Sequence, residues 1–188
     1  MRWLTLYARS RQVLASATAV ALVTLAVWAL HSPGPVDPVM AVLVLTANVA
    51  AVSIGLGGWD VVLERTAGIR WVPRRAAHVL LAGAIAGAAL LTVQAAGVQL
   101  APTEVVIRDS AGLVGAAALG AALLGAQFAW TLPTGWFAVT LFAPPLGGTA
   151  GQVVSWMTFP AGTAASTGTA WTLLATGTVL YALAGPKR

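Results

Sequence analysis

Cysteine is absent from the 188 residues, and charge is scarce, with only 8% of the side chains being Asp, Glu, Lys or Arg. The first absence excludes disulfides, thiolate metal sites and a cysteine nucleophile. The second excludes an ordinary water-facing surface, because soluble domains carry about 25% charged residues. A chain that is 59% hydrophobic has too few polar groups to cover such a surface. Also missing are an HExxH pair, a serine-nucleophile motif and a Walker lysine loop. The two histidines, His31 and His78, fall on opposite sides of the layout derived below, so they cannot share a metal. No catalytic residue, metal site or cofactor of its own is expected, and the chain does not read as an enzyme.

What is present is hydrocarbon, with a mean hydropathy of +0.86. A helix rising 1.5 Å per residue needs about 20 apolar residues to cross about 30 Å of lipid. Six segments meet that length: 13–30, 38–57, 77–97, 109–130, 134–159 and 163–184. The first follows the basic stretch "MRWLTLYARSRQ", and its 18 apolar residues exceed the roughly 7 to 15 of a cleaved signal. The fifth is interrupted by "APPLGG" and reads either as one kinked span or as two half-spans. The expectation is an all-α, polytopic membrane protein, a single transmembrane domain over residues 1–188.

Orientation follows from the cations, which collect on the cytoplasmic side of membrane proteins. With both termini inside, Arg2, Arg9, Arg11, Arg65, Arg70, Arg74, Arg75, Lys187 and Arg188 are all cytoplasmic, and only Arg108 of the 10 Lys and Arg is outside. This predicts a multi-pass protein of the plasma membrane. Nucleic acid is excluded as a partner, because the cations are spread along the chain rather than gathered on one face.

Within the spans, Gly83 and Gly87 form a GxxxG, and Gly112, Ala116 and Gly120, then Ala121 and Gly125, repeat the idea. Such small residues let helix backbones approach, within one chain or between chains. Asn48, Gln94, Gln127 and Gln152 each need a hydrogen-bonding partner, supplied by another helix or by a transported molecule. Arg108 and Asp109 stand at the expected outer start of the fourth helix. There Arg108 would snorkel to headgroups and Asp109 would accept helix-start N–H groups, the alternative being that both line a pathway. Trp3, Trp59, Trp71, Trp130 and Trp136 fit an interfacial belt, with Trp156 and Trp171 deeper.

The charged elbow "LERTAGIRWVPRRAAH" differs from everything around it. Trp59, Val62, Leu63, Thr66 and Ala67 share one helical face and Asp60 and Glu64 another, which predicts a short interfacial helix between the second and third spans, ended by Pro73. Arg74 and Arg75 then meet anionic lipid headgroups and help set the topology. Orientation in the membrane accounts for the arginines, while the amphipathic stretch before them also fits a handle for a soluble partner.

Six helices, cytoplasmic termini, no ATP-binding loop and a charged interfacial helix containing "LERTAG" together resemble the membrane subunit of ABC-2-type transporters. Glu64 and Arg65 match that family's acidic–arginine pair, with Gly68 a looser fit. The resemblance implies a coupling helix, with Asp60, Glu64, Arg65 and Arg70 docking on a separate ATP-binding cassette subunit that holds ATP and Mg. It also implies a homodimer or heterodimer of membrane subunits that exports a hydrophobic or amphipathic substrate. Two features depart from the family: its re-entrant helices usually follow the fifth span on the outer side, and its spans and loops are typically longer. A non-transporting scaffold or accessory subunit is the alternative; an ion or proton carrier ranks below both, for want of acidic or histidine relays in the spans.

The lack of native cysteine makes the orientation directly testable. In an Arg70→Cys variant, a membrane-impermeant maleimide is expected to label inverted vesicles and not intact cells; labelling of intact cells would reverse the layout.

Overall fold

Proline and glycine set most of the places where the helices stop. The computed structural model describes residues 13–30, 38–57, 71–142, 144 and 146–187. They form α1 (Val13–Leu30), α2 (Pro38–Ser53, continued by a 3-10 turn at Ile54–Leu56), α3 (Trp71–Ala95) and α4 (Thr103–Leu124). Then come α5 (Thr131–Phe142), α6 (Gly148–Val154) and α7 (Ala164–Ala184), with 3-10 turns at Ala126–Phe128 and Trp156–Thr158. There is no strand among the described residues.

Pro38 opens α2, where a missing N–H costs nothing. Pro73 lies inside the first turn of α3, so it does not end a preceding helix, and α3 begins six residues before the expected 77. The loop after α3 turns at Gly97, whose φ of 102° suits glycine. Pro102 precedes α4, which also begins six residues early and stops at Gly125, with φ 110°.

Three of these helices, Pro38–Leu56, Trp71–Ala95 and Thr103–Leu124, are long and apolar enough to cross a membrane. The apolar stretch Ala15–Ala29 of α1 is shorter. α7 has 21 residues but is diluted by hydroxyls. Several of these bond back to carbonyls of their own turn, as Thr169 does to Ala165 and Thr176 to Thr172, which masks their polarity. The segment 134–159 is not one kinked rod. α5 and α6 fold against each other, with the Trp136 indole donating to the Val154 carbonyl at 2.8 Å.

α4 is the hub, packed against α2, α3, α5 and α7. α3 runs antiparallel to it, Gly83 facing Val114 and Gly87 facing Ser110, so the GxxxG is used within the chain. α7 runs parallel to α4 and makes its most extensive contact, with Gly115 and Gly177 meeting backbone to backbone. The Tyr181 hydroxyl, fully buried, donates to the Leu56 carbonyl at 2.6 Å and ties the end of α7 to the end of α2. α1 packs on α2 and α3 and leaves Leu22, Leu25 and Trp28 exposed.

A side chain at Gly177 would press on the Gly115 carbonyl, whereas Gly168 on the same helix has open space around it. Gly177→Val is therefore expected to lower stability by about 3 kcal/mol or more, and Gly168→Val to change it by less than about 1 kcal/mol. Thermal unfolding of the two variants in detergent compares them; equal midpoints would refute the α4–α7 contact.

Candidate functional site: a buried arginine–aspartate pair beneath a broken helix

The chain between α6 and α7 cannot be a continuous helix: Ser155 has φ −102° and Phe159 and Thr163 are extended, with Pro160 between them. Such a stretch leaves carbonyls that no helical N–H reaches, a costly state inside an apolar bundle. The Pro160 carbonyl accepts the Thr163 N–H, and Arg108 reaches both it and the Met157 carbonyl. Its Nη1 donates to the Pro160 carbonyl at 3.0 Å and its Nη2 to the Met157 carbonyl at 3.4 Å. The planar guanidinium can serve several acceptors at once, which a lysine ammonium on its single stem does less well. Its Nε donates to Asp109 Oδ1 at 2.8 Å, so the buried cation is neutralised beside its own backbone.

Arg108 and Asp109 therefore do not behave as a helix start at the lipid surface. They lie in the second turn of α4, only 2% and 0% exposed, with the 157–160 segment folded over them. Arg108 does not snorkel. The acidic residue of the first turn is the exposed Glu104, placed where the helix dipole favours negative charge. Asp109 Oδ2 has no hydrogen-bonding partner among the described residues.

Trp156 locks the same turn from the other side. Its ring lies so close to Gly112 that a Cβ there would fall 2.9 Å from Cζ3. Trp136 of α5 meets it edge-on, with centroids 6.5 Å apart and planes at 86°. Both indoles make contacts within the bundle, Trp136 while only half-buried. Trp171 is on the outer face of α7. The Ser166 hydroxyl donates to the Gln152 carbonyl at 3.0 Å and fastens α6 to α7.

The remaining polar positions divide. Gln94 is buried at the end of α3 and donates to the Ala101 carbonyl, closing the α3–α4 loop rather than bridging helices. Gln127 falls in the 3-10 turn after α4 with an exposed side chain, outside the span expected to contain it. Asn48 is fully buried at the centre of α2. Arg74 is exposed, with its Cζ 6.0 Å from the Trp71 ring centre. Arg75 instead turns inward. Its Nη1 lies 3.5 Å from the Ala182 carbonyl and covers Gly185, so a cation sits at the negative end of α7. Asp60, Glu64, Arg65 and Arg70 lie outside the described residues.

No nucleophile with a base beside it emerges from this arrangement. It uses a desolvated charge pair to hold irregular backbone in place, against a helix that is itself long and apolar enough to cross a membrane. The sequence named Arg108 and Asp109 but not their partners, since Met157 and Pro160 are about fifty residues away. The chain matches no protein-family model, no curated protein and no solved structure.

Removing one member of a buried pair leaves an uncompensated charge and costs about 3–5 kcal/mol, whereas replacing both by apolar groups of similar size is far milder. Arg108→Ala is accordingly expected to lower the unfolding midpoint sharply. The double variant R108M/D109L should be more stable than either R108M or D109L alone; additive losses in that cycle would show that the two charges do not depend on each other.

Proposed function

We propose that the chain is a membrane-embedded transport subunit, the permease part of an ATP-driven exporter whose ATPase is a separate chain. The observation that supports this best is the broken α5–α6 segment, whose irregular continuation is held over α4 by Arg108. Non-helical backbone at membrane depth is tolerated where it is buried in protein or lines a pathway, and interrupted helices commonly accompany transport sites. An intramembrane ion pair is by default a sign of function. A hydrophobic or amphipathic molecule suits the apolar surroundings of this segment.

In this reading the chain crosses the plasma membrane six times, with the α5–α6 pair forming the fifth passage and both termini in the cytoplasm. The elbow carrying Asp60, Glu64, Arg65 and Arg70 docks on the ATPase, which supplies ATP and Mg, and two membrane subunits face each other across the pathway. Closure of the ATPase pair would then shift the elbow at the start of α3, and α3 would pass the movement to α4 through Gly83 and Gly87.

Co-expression with the ATPase encoded beside it, one carrying a GxxxxGK[ST] loop, tests the proposal. The intact chain should hold that ATPase through purification in mild detergent, and the E64A/R65A variant should retain at least about tenfold less, a loss of roughly 1.4 kcal/mol. Undiminished binding would remove the docking assignment, and no binding by the intact chain would leave the scaffold reading in its place.

A further inference from the structure

Asn48 has no exposed surface, and neither its Oδ1 nor its Nδ2 has a hydrogen-bonding partner among the described residues. Trp156 is equally sealed, and its Nε1 also lacks a partner among them. One observation brings these groups together: the Trp156–Thr158 turn packs directly on α2, the helix that carries Asn48. The benzene end of the indole is lodged at Gly112, so the N–H is carried at the opposite end of the ring.

An amide oxygen or an N–H buried without a bond costs about 1–3 kcal/mol. A leucine would fill the Asn48 position at no such cost. Indole N–H and amide NH2 are donors and the amide oxygen is an acceptor, so the group that satisfies all three must both accept and donate. Water does so, and buried waters typically make about three hydrogen bonds. We propose that the centre of the bundle, between α2 and the Trp156 turn, is a hydrated binding site in which ordered water accepts from Trp156 Nε1 and Asn48 Nδ2 and donates to Asn48 Oδ1. The site lies in the layer where the broken segment meets the continuous helices, and it stands whether or not the chain docks on an ATPase.

Hydroxyl-radical footprinting by pulsed X-rays tests it, because radicals formed from a bound water oxidise the side chains that touch it even where no surface is exposed. The protein in lipid nanodiscs should show oxidation of Trp156 within about tenfold of the rate at the exposed Trp130, despite its complete burial. Trp156 left unmodified while Trp130 is oxidised would overturn the proposal. Asn48→Leu should lower the Trp156 rate at least about fivefold and leave Trp130 unchanged; an unaltered Trp156 rate in that variant would remove Asn48 from the site. The measurement on the unmodified chain decides the matter even if the variant fails to fold.

Discussion

α4 and α7 touch backbone to backbone at Gly115 and Gly177, and the rest of the bundle is arranged around that contact. Lipid gives helices little reason to associate through apolar side chains, so close approach of backbones carries much of the attraction. The two helices run in the same direction, which imposes a second condition. The chain leaving α4 at Gly125 must travel back past it before α7 can begin near Thr163. α5, α6 and the turns between them make that return. From Ser110 to Pro186 no residue is charged, so nothing in the return itself can satisfy a stranded carbonyl with an ionic donor. Arg108 does so from the neighbouring helix. Its burial is a consequence of the parallel pairing.

The same device recurs wherever backbone becomes irregular inside the bundle. Tyr181 donates to Leu56 at the end of α2, Trp136 to Val154 at the end of α6, and Arg75 reaches Ala182 at the end of α7. Each is a long side chain with a polar tip and an apolar or amphipathic stem, so it delivers a donor without opening the packing around it. Helix ends carry carbonyls that lack intrahelical partners, and in a bilayer water cannot be relied upon to supply them. Arg108 is also paired with a counter-charge, the carboxylate of its sequence neighbour Asp109.

How far the sequence could be read depended on whether the signal was local. The limits of α1, α2 and α7 lie within a residue or so of those expected from apolar length and from the proline- and glycine-rich breaks. α3 and α4 start six residues earlier than expected because Arg75, Arg108 and Asp109 imitate a water boundary. Charge marks that boundary only when no other part of the fold supplies it with partners, and here the accepting carbonyls of Ala182, Met157 and Pro160 are all far along the chain. The Gly83–Gly87 spacing was legible as a packing face, though not its partner on α4. Gly177 has Leu173 and Tyr181 four residues to either side, so its half of the contact with Gly115 left no small-residue pattern in α7.

These differences in how the parts are held also decide where movement is cheapest. A glycine-to-glycine helix contact is lost as soon as either helix rotates, so α4 and α7 form a single body. The α5–α6 segment is held by side-chain bonds, each worth roughly 1 kcal/mol, by Phe137 packed in the core, and by the Trp156 ring in its notch at Gly112. Its connection contains Gly147 and Gly148, which have open space around them, and Phe142 beside them is 84% exposed. The α4–α7 body is thus the frame of the bundle, and Arg108 and Trp156 are what fasten the broken segment to it.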